Sequence, residues 1–197
     1  MKIGFLASGR GSNMQAVIDA CRQGKINAVP VAVVSNNSGS GAMERAEKEG
    51  LARYHLSSVT HPDPADLDRA IVEALERHGT DLVLLAGYMK KLGPATLERF
   101  KGRILNIHPA LLPKFGGPGM YGRRVHEAVL AAGEKESGVS IHIVDADYDT
   151  GPVIAQERVP VLPGDTPDSL AARVLEQEHR LLTATLGRIA SGELPLP

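Results

Sequence analysis

The sequence predicts a single-domain α/β protein: a Rossmann-like, open, mostly parallel sheet with helices on both faces and a C-terminal antiparallel extension. Two observations carry that prediction. Short apolar runs alternate with stretches of helical period along the 197 residues, which is the pattern of successive βαβ units. The length suits one sizeable core and is short for two, and no repeat, low-complexity tract or linker divides it. The whole of 1–197 is therefore read as one domain, with halves at about 1–100 and 101–197.

Taken in order, residues 2–8 read as the first strand. They run into Gly9-Arg10-Gly11-Ser12-Asn13 and a helix over 14–22, whose inner face carries Val17, Ile18 and Cys21. Residues 29–34 form the second strand, 41–50 a short charged helix and 53–56 a short strand. Over 64–78, Leu67, Ile71 and Leu75 recur at i, i+4 and i+8 before Gly79, as in a surface helix with a glycine stop. Residues 81–87 are the least polar run and read as a central strand covered on both faces. A short strand over 103–108 precedes a stretch, 109–124, with four glycines and three prolines, too long for a plain connector and read as a lid or binding loop. A helix (125–132), an alternating strand (138–145), a last strand (153–161) and a long C-terminal helix (about 166–191) complete the chain.

Composition narrows the function. The chain is 43% hydrophobic and 23% charged, with a formal net charge of −1 and the signs interspersed. That leaves no electrostatic footprint for a nucleic-acid backbone. No apolar run approaches the ~20 residues that cross a bilayer, and the N-terminus lacks the apolar region and cleavage site of a signal peptide. A lone Cys21 cannot form an intrachain disulfide. The expectation is a cytoplasmic protein that acts on small molecules as a monomer or homodimer.

Three stretches could carry chemistry. Asn106 and His108 are two apart on a strand, so they project to the same side at its C-terminal end, where open α/β sheets place ligands. They are either the start of an active site or buried polar groups satisfied by neighbouring backbone. The Gly9–Asn13 turn opens a helix, with Ser12 or Asn13 able to cap it, and suits a phosphate. Met14 replaces the third glycine of a dinucleotide fingerprint and Ser35-Asn36-Asn37 ends the second strand without an acid, so a phosphomonoester fits better than NAD. A tight turn binding nothing is the other reading. The acidic run Asp145-Ala146-Asp147-Tyr148-Asp149 lacks the ligand register of a Ca²⁺ loop, and no His/Cys cluster has zinc spacing, so no metal is assigned. His142 is read as a satisfied core histidine. Glu178 falls inside the apolar stripe of the last helix, where a carboxylate needs a partner: either a basic residue on the sheet or a ligand amine or hydroxyl.

Four motifs occur together: Ser8-Gly9-Arg10-Gly11-Ser12-Asn13, Leu85-Ala86-Gly87-Tyr88-Met89, Asn106-Ile107-His108-Pro109 with Leu111-Leu112-Pro113, and Asp149-Thr150-Gly151-Pro152. In that order and spacing the chain resembles the phosphoribosylglycinamide formyltransferases, folate-dependent enzymes of purine synthesis, over essentially its whole length. The resemblance implies formyl transfer from 10-formyltetrahydrofolate to the amine of glycinamide ribonucleotide. It implies catalytic roles for Asn106, His108 and Asp149, and a substrate site at Gly11, Ser12 and Asn13 with Glu178 at the ribose or glycinamide end. The folate pocket would be formed by Met89, Lys90, Lys91 and Leu92 together with Asn106, Asp145 and Asp149. The first half would then hold the phosphate, and the second the folate and the catalytic groups. On this reading Asp149 raises the pKa of His108, and protonated His108 with the Asn106 N–H steadies the developing oxyanion. Related formyltransferases with tRNA or sugar-nucleotide acceptors, a hydrolase that gives the formyl group to water, and a silent ligand-binding module are the competing readings.

Overall fold

The computed structural model describes residues 1–197. Seven strands form one sheet in the order β3-β2-β1-β4-β5-β6-β7. β1 (Lys2–Leu6), β2 (Val29–Ser35), β3 (Ala52–His55), β4 (Leu82–Leu85) and β5 (Ile104–His108) run parallel; β6 (Glu136–Ile143) and β7 (Val153–Pro160) are antiparallel to their neighbours. The helices are α1 (Ser12–Arg22), α2 (Gly41–Lys48), α3 (Pro64–Arg77), α4 (Pro94–Arg99), α5 (Arg123–Ala131) and α6 (Pro167–Ala190). This is the expected architecture, and none of the helices is long and apolar enough to cross a membrane.

Period-two alternation along the strands divides the core. Phe5, Val33, Leu84, Leu105 and Ile141 pack on one face in a cluster that includes Val17 of α1, Val129 of α5 and Leu182 of α6. Leu6, Val34, Val83, Leu85 and Ile104 pack on the other, against Ile71 and Leu75 of α3 and against Phe100. The four residues of β4 are all buried, as expected of a strand covered on both faces.

Several boundaries shift by one or two residues, and two differences have a clear physical cause. α1 starts at Ser12, ahead of the expected Met14: the N-cap is Gly11, at φ +74°, and no side chain caps the helix. A Cβ on Gly11 would stand 2.8 Å from the Cα of Ala42, so the close approach of α2 as well as the left-handed backbone requires glycine there. From the sequence no element is expected over residues 93–102. They contain α4, six residues long, and such a short helix persists because the buried Asp68 carboxylate accepts from the N–H groups of Ala95 (2.7 Å) and Thr96 (3.1 Å). The cap comes from 27 residues away, out of reach of a local reading.

Strand order reverses direction between β1 and β4, and the crevice at the carboxyl ends of these strands is where such sheets bind ligands. The register then adds one pairing of consequence: Asn106 of β5 lies directly opposite His142 of β6.

Candidate active site

The crevice holds a cavity of about 390 Å³. Three separate segments wall it: the stretch after β4 with Met89, Lys90, Lys91 and Leu92; the end of β5 with Asn106 and His108; and the 144–149 turn with Asp145 and Asp149. Asn13 and Glu178 close its far side. Gly11 and Ser12 do not line it. They stand beside it at the start of α1, where the absence of a side-chain cap leaves first-turn N–H groups without a side-chain acceptor.

Asn106, His108 and Asp149 meet. His108 is 3% exposed, and its Nδ1 lies 3.6 Å from Asp149 Oδ2, while Nε2 donates to the Phe115 carbonyl (2.7 Å). Asn106 Nδ2 donates to Asp149 Oδ1 (3.3 Å) and approaches His142 Nε2 at 3.0 Å. The His142 Nδ1 faces the Ile143 carbonyl (3.1 Å), which can only accept, so Nδ1 carries the hydrogen and Nε2 is left to accept from Asn106. The Gly117 N–H donates to Asp149 Oδ2 (3.0 Å).

Three findings refine the expectations here. His142 is buried and hydrogen-bonded, as expected of a satisfied core histidine, and its partners also place it in this cluster, 3.4 Å from Asp149 Oδ1. Its alternating apolar strand gave no sign of that, since only the β5–β6 register brings it opposite Asn106. The second concerns His108: burial lowers its pKa more than the Asp149 carboxylate and the Phe115 carbonyl raise it, with His142 lowering it further, so the free ring is held below the ordinary histidine value. The carboxylate alone would raise this pKa, and desolvation of the ring reverses the sign. Thirdly, both Nδ2 hydrogens of Asn106 are engaged within the protein, so a ligand oxygen must replace an existing acceptor; Asp149, at 3.3 Å, holds the longer bond. Burial pushes the Asp149 carboxyl up, but the His142 and His108 rings in their charged forms, with the Gly117 N–H, together outweigh it and hold the group below the usual carboxylate range.

Glu178 is 8% exposed and no cation pairs with it; its Oε2 accepts from Asn13 Nδ2 at 2.7 Å. Burial pushes this carboxyl up to about 7, against the lowering effect of the Asn13 hydrogen bond. Asn13, which also lines the cavity, has its Oδ1 buried without a partner. The expected folate wall is mixed in character. Leu92 is buried, Met89 is 46% exposed at the mouth, and Lys91 turns toward the opposite wall, 3.5 Å from Asp147 and above the Tyr148 ring. Asp145 spends its Oδ1 on its own turn, accepting from the Asp147 N–H and the Thr150 hydroxyl.

A buried histidine, an amide and a carboxylate converge at the carboxyl end of β5, where the parallel strands give way to antiparallel β6, in one cavity with Asn13 of an uncapped helix start. That constellation is one of polar group transfer between small molecules. The formyl transferase family profile matches residues 1–186, and the chain belongs to that family. It is 40% identical over 196 residues to the phosphoribosylglycinamide formyltransferase of Escherichia coli strain K12, covering all of this chain and 90% of that protein. Among solved structures, glycinamide ribonucleotide transformylase 1 from Symbiobacterium toebii superposes with a TM-score of 0.93 at 39% identity, over 100% of this chain and 91% of that one. Phosphoribosylglycinamide formyltransferase from Brucella melitensis gives 0.88 at 39%, over 100% and 98%. A formyltetrahydrofolate deformylase from Pseudomonas syringae pv. tomato, 21% identical, shares the fold (TM-score 0.85, over 97% and 61%).

Proposed function

We propose that this chain is a folate-dependent formyltransferase that moves the formyl group of 10-formyltetrahydrofolate to the primary amine of 5'-phosphoribosylglycinamide, giving formylglycinamide ribonucleotide and tetrahydrofolate. The observation that carries the reading is the convergence of His108, Asn106 and Asp149 in one cavity with Asn13 and Glu178 at its far side. The residues fit a reduced folate: Leu85, Leu92 and Val144 offer an apolar slot, and the 88–92 and 144–149 segments on either side offer backbone polar groups. When bound, that molecule supplies the activated formyl carbon.

The roles of the side chains follow from their state. The uncapped N–H groups of Gly11, Ser12 and Asn13 receive the substrate phosphate. Glu178, with Asn13 beside it, takes the ribose or glycinamide end, which restores a hydrogen-bond partner to the buried Asn13 Oδ1. His108, neutral in the free site, accepts the proton that the amine nitrogen loses as it bonds to the formyl carbon. The ionised Asp149 carboxylate steadies the imidazolium so formed, and His108 then delivers that proton to the folate nitrogen as its bond to the formyl carbon breaks. Asn106 exchanges its Asp149 contact for the developing oxyanion, with His142 holding the amide in place. The even spread of charge supports small-molecule partners without nucleic acid; the proposal includes a cytoplasmic monomer or homodimer. The deciding experiment is a turnover assay with 10-formyltetrahydrofolate, scoring release of tetrahydrofolate with glycinamide ribonucleotide, initiator tRNA, amino sugars or water as acceptor. Release with water alone would make the chain a hydrolase, and binding of both ligands without release would make it a silent module.

A further inference from the structure

Only two residues other than glycine hold a positive φ, Phe115 (+56°) and Asp149 (+56°), and both touch His108. A left-handed conformation is costly for a side chain as bulky as phenylalanine and persists only where the surroundings enforce it. The enforcing contacts are backbone ones. At the root of the glycine-rich stretch, the Phe115 carbonyl takes the His108 Nε2 hydrogen, and two residues on the Gly117 N–H is given to Asp149 Oδ2. One short turn therefore presents an acceptor to the imidazole and a donor to the carboxylate. Gly116 lies between them in contact with both partners' surroundings: a Cβ there would stand 2.5 Å from Leu112 Cδ2 and 3.2 Å from Asp149 Cβ.

We infer that residues 115–117 act as a backbone clamp that fixes His108 as the Nε2–H tautomer, so that Nδ1 is the atom which carries the transferred proton. A carbonyl oxygen cannot donate, so the 2.7 Å bond requires hydrogen on Nε2 in the neutral ring. The lone pair is then on Nδ1, which faces Asp149 Oδ2 at 3.6 Å, a separation long enough for the reacting nitrogen to compete for the proton. The amine gives its proton to Nδ1, the ring becomes doubly protonated without losing the Phe115 bond, and the same nitrogen releases the proton to the folate nitrogen. The other titratable groups around the ring are His142 on β6 and His126 on α5. Phe115 and Gly117 are positioning residues, and because they root the glycine-rich stretch, its order and the proton carrier are linked. The inference rests on the proposed formyl transfer for its meaning, but its test does not.

That test is a multiple-bond ¹H–¹⁵N correlation spectrum of the full chain labelled with ¹⁵N-histidine, with His108→Gln assigning its signals among the seven histidines. Above the ring's pKa, a pyrrole-type Nε2 and a pyridine-type Nδ1 are expected. A neutral ring protonated on Nδ1, or averaged over both tautomers, overturns the clamp. Gly116→Ala should convert the single tautomer into a mixture and lower kcat by on the order of 10- to 100-fold, with KM for the amine little changed. Phe115→Leu, which keeps the backbone bond, should retain the parent spectrum. An unchanged spectrum and kcat in Gly116→Ala would also overturn it; were that variant unable to fold, the parent spectrum still decides. Absence of turnover with a correct tautomer would strike at the proposed function and leave the clamp standing.

Discussion

The turn after β1 and the turn after β6 feed the same crevice and are built in opposite ways. The first works through the backbone: Gly11 in the left-handed region starts α1 with no capping side chain, and its close packing on Ala42 leaves no room for any. Its contribution is oriented N–H groups, which suit an anion that must be held and not transformed. The second works through side chains under strain. Asp149 is left-handed without being glycine, and its carboxylate is shared among Asn106, His108, His142 and Gly117. A parallel βα turn can supply binding cheaply, whereas proton transfer needs titratable groups brought together from several segments. If that division holds, damage to the first turn should appear in KM and damage to the second in kcat.

The largest expected effect is that of His108→Ala, a loss of about 10²- to 10⁴-fold in kcat with KM nearly unchanged, read from steady-state kinetics. A loss confined to KM would erase the distinction. Asp149→Asn should lower kcat by roughly 10²-fold. It also removes the carboxylate that raises the His108 pKa, so that pKa falls further below the ordinary value and the pH dependence of kcat moves to lower pH. A variant profile superimposable on the parent's would show the pair to be uncoupled. Gly11→Ala combines a φ of +74° with a Cβ 2.8 Å from Ala42, and should raise KM for the phosphorylated acceptor about 30-fold while sparing kcat. Affinity unchanged in isothermal titration with the phosphorylated acceptor would remove the first turn from the site.

Glu178 joins the two regions through Asn13 and gives the smallest effect. Its folded pKa, about 7, lies above the ordinary 4.5. The stability associated with the neutral carboxyl is therefore complete below about pH 4.5 and is lost as pH rises through about 7. Between pH 5 and pH 8 this amounts to about 2 kcal/mol, which Glu178→Gln should not lose. Urea midpoints of parent and variant at both pH values measure it, and parallel slopes would mean that Glu178 is ionised throughout.

Much of this was legible in the chain. The alternation of period-two and helical runs is a local property, and it placed all seven strands within two residues of their observed ends. The i, i+2 spacing placed Asn106 and His108 on one side of β5, and the apolar stripe of α6 marked Glu178 as a carboxylate in need of a partner. The partner itself was not legible: it is the amide of Asn13, 165 residues away, and not a cation.

The sequence by itself determined which elements form and which residue types could do chemistry, because hydrophobic period and backbone propensity act over a few residues. Only the tertiary structure decided that His142 faces Asn106, that Asp68 caps α4 and that burial outweighs the Asp149 charge in setting the His108 pKa. Each of these depends on register, long-range contact or desolvation, which exist only once distant segments have packed together.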